Sequence, residues 1–188
     1  RNCAIMIKLT MVLITGPSGC GKSTIASSFS ESLERNNFCV ALFSQDNYFT
    51  MPFLPYRERQ DLRYESNCGI DFQQLISDIE NWASDQIARI TAAVSEEENV
   101  STIFNNIAIV VEGHLLGAAA EMLYACCTAK IDGDIVHSLS TVCVLIQCSQ
   151  EKCKRRRLGR RTRTKEEHYE LSNYFDEFVW VGFEKFGL

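Results

Sequence analysis

Short apolar runs alternate with longer stretches of mixed polarity along this chain. Mainly apolar residues fill positions 7–15, 38–44, 107–111 and 141–147, and the first of these runs is rich in β-branched residues. Continuous apolar runs of this length are typical of strands that are buried on both faces of a parallel sheet. Strands that alternate with helices predict right-handed βαβ units, and therefore an α/β domain with helices on both faces of its sheet.

Five stretches between and after these runs favour helices, at residues 22–34, 71–90, 115–127, 151–157 and 166–186. Asp71 is placed to cap the second of them, which carries apolar residues at helical spacing. Residues 47–69 hold two prolines and several aromatics. They are too long for a simple connection, which indicates a functional loop. Residues 91–106 are polar and include three consecutive glutamates, so we expect a solvated excursion there.

The first predicted strand leads directly into a complete phosphate-binding loop. Residues 16–23 read GPSGCGKS, which matches G-x-x-x-x-G-K-[ST] between a strand and a helix. Backbone N–H groups of such a loop turn towards phosphate oxygens, and the helix N-terminus adds partial positive charge. We expect Lys22 to reach the β- and γ-phosphates and Ser23 to bind Mg²⁺. The predicted nucleotide-binding residues here are Gly16, Pro17, Ser18, Gly19, Cys20, Gly21, Lys22, Ser23 and Thr24.

Two carboxylates follow the ends of predicted strands, where an open α/β sheet gathers its ligands. Asp46 leaves the second strand into the long loop, and we predict that it is the general base of a phosphoryl transfer; a loop or helix cap is the alternative. Glu112 ends the third strand and is a candidate for holding Mg²⁺ through water or for positioning the acceptor. Its alternative role is a hydrogen-bonded carboxylate within a turn. Lys22 completes the predicted catalytic set, because its charge stabilises the transferring group.

Basic residues are concentrated between Lys152 and Lys165. Three interpretations compete: a solvated basic helix, a nuclear-localisation or nucleic-acid patch, and a lid that closes arginines over a nucleotide. The position directly after a core strand, in a chain with a phosphate loop, favours the lid, which we place at about residues 149–165. At helical spacing, about two or three of these side chains should face the site.

Composition narrows the classes of protein. The 188 residues suffice for one domain, and the net charge of −5 argues against a general nucleic-acid binder. We therefore expect no nucleic-acid partner. No apolar run reaches membrane-spanning length, so we expect no membrane partner either. Nine cysteines without C-x-x-C pairs or a secretion signal are expected to be reduced, with Cys20 exposed in its loop. We expect a monomer in the cytoplasm, with the nucleus as a second location.

With these residues in view, the chain resembles nicotinamide riboside kinases, within the wider uridine kinase and phosphoribulokinase group. The segments that carry the resemblance are the phosphate loop, SQDNYF at 44–49, IVVEGHLL at 109–116, EKCKRRR at 151–157 and YFDEFVW at 174–180. The resemblance implies a three-layer P-loop kinase fold with a basic lid. It also implies phosphorylation of the ribose 5′-hydroxyl of nicotinamide riboside, a step of NAD biosynthesis, with ATP and Mg²⁺ as cofactors. A small-molecule riboside is then the expected partner.

The same resemblance implies roles for individual residues. Asp46 is the implied general base, and Ser23 and Asp46 lie at the metal. The residues implied to line the riboside are Asp46, Asn47, Tyr48, Phe49, Ile70, Asp71 and Arg157. Among these, Asp71 would bind ribose hydroxyls and Arg157 would face the acceptor. The residues implied at the nucleotide, besides the loop, are Arg156, Arg160 and Thr162.

The chain departs from the family's pattern at three positions. Ile70 stands where the family often has an aromatic residue that stacks on the base, Thr162 where it tends to have a tyrosine, and Asn47 replaces a second aspartate. The base therefore stays open, and a uridine/cytidine kinase is the nearest alternative. The family also continues beyond the last helix with a strand and a loop that contacts adenine. We therefore expect residues 1–188 to be a single, C-terminally truncated kinase domain, with an inactive nucleotide-binding interaction protein as the alternative from another class.

Overall fold

A computed structural model describes residues 6–96, 104–117, 120–121, 123–125 and 136–187. Its strands are β1 (Met6–Thr15), β2 (Phe38–Ser44), β3 (Phe104–Gly113) and β4 (Val136–Leu145). They form one parallel sheet in the order β2-β3-β1-β4. The helices are α1 (Lys22–Arg35), α2 (Phe72–Glu96), α3 (Gln150–Leu158), α4 (Lys165–Tyr174) and α5 (Trp180–Phe186). Residues 116–117, 120–121 and 123–125 are also helical.

The two faces of the sheet carry different helices, because side chains alternate across a strand. On β1, Leu9 and Met11 belong to a buried cluster that includes Leu75 of α2. Val12 on the same strand belongs to a second cluster, which includes Ala26 of α1. This arrangement confirms the predicted three-layer α/β fold, in which a parallel sheet is covered by helices on both faces.

The segment between β2 and α2 is built from short 3₁₀ turns, at Gln45–Tyr48, Tyr56–Glu58, Leu62–Glu65 and Asn67–Gly69. Its two ends lie together, because Phe49 pairs with Ile70 in an antiparallel bridge and Asp71 N donates to Tyr48 O at 2.8 Å. A compact loop with closed ends holds its side chains in fixed positions, and such loops are frequently functional.

The last predicted helix is confirmed, but it is interrupted. A π-turn at Phe175–Val179 separates α4 from α5. Thr164 and Glu167 form a capping box at the start of α4, where each side chain accepts a hydrogen bond from the other residue's backbone N–H.

Several predicted boundaries were wrong. Helix α2 continues to Glu96 and β3 begins at Phe104, so most of the expected excursion at 91–106 is regular structure; residues 97–103 lie outside the described part. No glycine or proline interrupts the helix after residue 90, and β3 begins where it pairs with Met6 of β1. Strand β4 covers 136–145 rather than 141–147, because its register also follows β1. The predicted helix at 115–127 is helical in its described residues 116–117, 120–121 and 123–125, and residues 126–127 lie outside them.

No helix in the described part of the chain is both long enough and apolar enough to span a bilayer.

Candidate active site

The phosphate loop joins β1 to α1 through left-handed backbone conformations. Gly19 and Gly21 have φ angles of 92° and 109°, which residues with a side chain rarely adopt. Gly21 caps the N-terminus of α1, so the loop lies at the positive end of that helix. A Cβ on Gly19 would collide with the carbonyl oxygen of Cys153, so this glycine allows α3 to lie against the loop.

Lys22 is a buried ammonium within this loop. Its side chain is 9% exposed, and Nζ donates a hydrogen bond of 3.1 Å to the Pro17 carbonyl. Burial lowers the pKa of Lys22, whereas the nearby Cys20, Glu112 and Asp46 side chains oppose that shift. The two carboxylates therefore help to keep the lysine charged, as the predicted phosphate-binding role requires.

Glu112 is held at the end of β3 by two hydroxyls. Its carboxylate oxygen Oε1 accepts hydrogen bonds from Ser44 Oγ at 2.6 Å and from Ser23 Oγ at 3.2 Å. The residue is 6% exposed. The carboxylate is therefore hydrogen-bonded as the alternative expected, but to β2 and to the phosphate loop rather than within its own turn.

A cavity of about 330 Å³ joins the phosphate loop to the segment after β2. Residues of the loop, the two strand-end carboxylates and two arginines line one part of it: Ser18, Lys22, Ser23, Asp46, Glu112, Arg157 and Arg160. Side chains from residues 49–65, which we call the loop wall, line the other part together with His114: Phe49, Met51, Phe53, Tyr56, Arg59, Tyr64 and Glu65. The cavity lies beyond the carboxyl ends of β1, β2 and β3, where α/β sheets bind ligands.

Three arginines of the predicted lid reach this site. Arg156 donates to the Cys20 carbonyl at 2.9 Å, and Arg157 donates to Ser18 Oγ at 2.8 Å. Arg160 lines the cavity; burial and then the neighbouring Arg157 lower its pKa, while Asp46 and Glu112 raise it. The number of side chains at the site agrees with the expected two or three, but only Arg156 and Arg157 lie on the helix; Arg160 follows its end at Leu158.

The loop wall ends in a buried polar network. Glu65 is 6% exposed; its Oε1 accepts a hydrogen bond of 2.9 Å from the Tyr174 hydroxyl, and its Oε2 lies 3.4 Å from His114 Nε2. Burial, and then the charge of Glu65, raise the pKa of Tyr174, so the phenol remains a donor.

Arg59 is enclosed by aromatic rings in the same wall. Its guanidinium carbon lies 4.5 Å from the Tyr64 ring centroid and 4.7 Å from that of Phe53, and Nε donates to Leu54 O at 2.9 Å. Cation–π contacts of this kind fix the guanidinium and the rings relative to one another.

Several predicted site residues lie outside the cavity lining. Asp71 caps α2, since its Oδ1 accepts the Gln74 N–H at 2.9 Å, and the Tyr48 hydroxyl donates to Asp78 Oδ2 at 2.9 Å. Ile70 is buried in the main core. Thr24, Asn47 and Thr162 also lie outside the lining and are exposed. Six further predicted residues are absent from the lining although they belong to the phosphate loop or, for the last, bind it: Gly16, Pro17, Gly19, Cys20, Gly21 and Arg156. Their contacts with ligands stay predictions.

The structure also corrects the expected exposure of Cys20 and adds two charged residues to the candidate site. Cys20 is 5% exposed and packs with Cys153 and Phe175, so the expectation that it is exposed was wrong. Glu65 and Arg59 line the cavity but were not predicted. Their sequence context, charged residues within a polar loop, is too common to single them out.

The oxygen atoms at the centre of the site fit Mg²⁺. Ser23, Asp46 and Glu112 supply hydroxyl and carboxylate oxygens, which are the ligands that this ion prefers. Among the residues that the structure describes, no group of three or more His, Cys, Asp or Glu side chains is arranged to hold a metal. The protein would therefore contribute a few oxygens, and phosphate and water would complete the shell, as is usual for Mg²⁺.

Comparison with protein families decides the family. Residues 12–176 match the model of a family described as AAA domain. The chain belongs to this family. The AAA domain match begins within β1, includes the phosphate loop, Asp46, Glu112 and the arginines of α3, and ends in the π-turn, so it covers the whole candidate site.

Two solved structures are similar to parts of this AAA domain chain. One is titled "Crystal structure of APE1195", with 16% identity and a TM-score of 0.41, covering 82% of this chain. This chain spans 66% of that chain's length. The other is a deoxyadenosine kinase from M. mycoides with bound dATP, with 14% identity and a TM-score of 0.29, covering 94% of this chain and 87% of that one. No curated protein matches the chain. The fold is an α/β P-loop fold of the NTPase and kinase type.

Proposed function

We propose that the protein is a ribonucleoside kinase that transfers the γ-phosphoryl group of ATP to the ribose 5′-hydroxyl of nicotinamide riboside, giving nicotinamide mononucleotide. The observation that carries the proposal is that Asp46 lines the same cavity as Lys22 of the phosphate loop and the rings of the loop wall. One cavity thus holds a phosphate-binding cation, a carboxylate and an aromatic surface. Phosphoryl transfer to a hydroxyl needs the cation and the carboxylate, and the aromatic surface suits an acceptor that carries a flat base.

Each group has a role in the transfer. Asp46 accepts the proton of the 5′-hydroxyl as its oxygen attacks the γ-phosphorus; the new O–P bond forms while the bond to the β-phosphate oxygen breaks and ADP leaves. Lys22, Arg157 and Arg160 stabilise the negative charge of the transferring group. When bound, Mg²⁺ neutralises phosphate charge beside Ser23 and Glu112.

The loop wall supports a planar, hydroxyl-bearing acceptor. Phe49, Phe53, Tyr56 and Tyr64 offer ring faces or edges to the cavity, which suits a flat base. Glu65 offers carboxylate oxygens to ribose hydroxyls. We therefore assign to Glu65 the contact that the family resemblance gave to Asp71, because Asp71 caps α2 outside the cavity lining.

A uridine/cytidine kinase is the second candidate, and Arg59 favours it. No carboxylate of the described residues forms an ion pair with this guanidinium, which lines the cavity. Nicotinamide riboside carries a positively charged pyridinium ring, whereas uracil is neutral. A fixed cation in the wall therefore favours the neutral base.

A side-by-side assay tests the proposal. Nicotinamide riboside, uridine and cytidine are each offered with ATP and Mg²⁺, and kcat/KM is compared. We expect the highest value for nicotinamide riboside. A higher value for uridine or cytidine would assign the second candidate, and transfer to none of the three would refute a riboside kinase. In that last case, binding to nucleic acid with steep salt dependence would favour an interaction protein.

A further inference from the structure

Three consecutive side chains in the C-terminal segment contact three different parts of the site. The Tyr174 hydroxyl binds Glu65 of the loop wall. Phe175 is fully buried and packs in a cluster with Cys20 of the phosphate loop and Cys153 of α3. Asp176 accepts hydrogen bonds from Lys154 and from Gln150, at 3.2 Å for the latter, both on α3. These contacts belong to the YFDEFVW segment, for which the proposed chemistry has no role.

The backbone explains how Tyr174 and Asp176, only two residues apart, bind different elements of the structure. Residues two positions apart on a helix do not face each other, so Tyr174 and Asp176 diverge. The π-turn at Phe175–Val179 adds a residue to the helical turn at this point. π-Turns inside helices occur frequently at functional sites.

We propose that the junction between α4 and this π-turn, at Tyr174–Asp176, is a positioning element with two arms. Through Tyr174 it sets the Glu65 carboxylate that faces the acceptor. Through Asp176 it holds α3, so that Arg156 and Arg157 meet the phosphate loop. The proposal rests on the proposed function for the identity of the acceptor. Neither Tyr174 nor Asp176 lines the cavity, so both act through other residues.

The two arms differ in strength. The Tyr174 ring is 3% exposed and packs against Tyr56 and Phe178, with centroids 5.3 Å away in each case, so its hydroxyl is held towards Glu65. A buried hydrogen bond to a carboxylate is strong. The Asp176 side chain is 47% exposed, so its ion pair with Lys154 is screened by water and weaker. Loss of the first arm should therefore have the larger effect.

Steady-state kinetics separate the arms. Tyr174→Phe keeps the ring and removes the hydroxyl; we expect the KM of the riboside to rise about tenfold, with the KM of ATP unchanged. Asp176→Asn should raise the KM of ATP about twofold and leave that of the riboside unchanged. Tyr169→Phe and Glu177→Gln are matched controls, because both residues are exposed and lie on the same segment. In a Glu65→Gln background, Tyr174→Phe should have a smaller effect, since Tyr174 acts through Glu65.

Hydrogen exchange in the protein without ligands decides the proposal independently of turnover. Tyr174→Phe should speed amide exchange in residues 62–65 and leave α3 unchanged, and Asp176→Asn should do the reverse. Equal changes in both regions, or none in either, would overturn the two-arm proposal and indicate an ordinary packing role. If the wild-type chain phosphorylates no riboside, the proposed function fails, and the exchange pattern still decides whether the junction of α4 and the π-turn positions both regions.

Discussion

The Ser44 hydroxyl donates a hydrogen bond of 2.6 Å to Oε1 of Glu112. The two residues are direct partners in the register of β2 and β3, so the bond joins the carboxyl ends of neighbouring strands. It orients a carboxylate that also receives the hydroxyl of Ser23. Strand pairing therefore sets the position of Glu112 relative to the phosphate loop.

Removing this bond should impair the metal-dependent step. In Ser44→Ala, Glu112 loses its shorter hydrogen bond, and we expect kcat/KM to fall about tenfold. The Mg²⁺ concentration that gives half-maximal activity should rise, because the carboxylate is less well oriented. A titration of activity against Mg²⁺ measures this. Ser28→Ala, at an exposed position of α1, is the control and should resemble wild type; an unchanged Mg²⁺ profile in Ser44→Ala would contradict the role given to Glu112.

Asp46→Asn should remove the proton acceptor while keeping a side-chain oxygen beside Mg²⁺. We expect kcat to fall by about 10²–10⁴, the usual range for loss of a general base. Binding of ATP, measured by calorimetry, should survive, because the phosphate loop is untouched. Asp85→Asn on the exposed side of α2 controls for the loss of one negative charge. Near-normal turnover in Asp46→Asn would show that another group accepts the proton.

The buried Lys22 predicts a limit at alkaline pH. Its pKa is lowered by burial, so it loses its proton at a lower pH than an ordinary lysine. Since the charged form binds phosphate, kcat/KM for ATP should fall as pH rises through this lowered pKa, which lies below 10.5, the usual lysine value. Lys22→Arg keeps its charge at high pH, so its alkaline limb should move upward or vanish. A limb at the same pH in both proteins would assign the titration to another group.

Gly19 is predicted to be intolerant of any side chain. Alanine there meets both a positive φ and the Cys153 carbonyl, so Gly19→Ala should lower stability by roughly 1–3 kcal/mol and weaken ATP binding. Gly159→Ala is the matched control, because its Cβ would lie 3.4 Å from the Arg155 carbonyl, an ordinary contact. Thermal unfolding and ATP binding measure both effects. Equal Tm values for the two variants would contradict the close approach of α3 to the loop.

Local signals made part of the site predictable. The phosphate loop and the carboxylates at 46 and 112 follow apolar strands, and parallel strands bring their carboxyl ends together whatever the loops do. The limits of β3 and β4 were less predictable, because pairing with β1 extends both strands into polar sequence at their N-terminal ends. The C-terminal limit of α2 was also predicted too early, because no glycine or proline near residue 90 or Glu96 marks the end of the helix.

The acceptor side depended on long-range contacts. Asp71 was correctly predicted as a helix cap, and that role draws its carboxylate to the Gln74 N–H. Glu65, and not Asp71, lines the cavity, and its carboxylate is bound there by Tyr174, more than a hundred residues away in the sequence. Such a pairing leaves no mark in either local sequence.

By itself, the sequence determined the α/β order of strands and helices, the phosphate loop, and the positions of Asp46 and Glu112 at the ends of β2 and β3. Each of these follows from local periodicity or a short motif. Only the tertiary structure decided which loop residues face the cavity and which arginines of α3 reach the phosphate loop. It also decided that Tyr174 binds Glu65 while Asp176 binds α3 through Lys154 and Gln150. These choices depend on packing between segments far apart in the chain, where burial and hydrogen bonding select one arrangement among several that the local sequence allows.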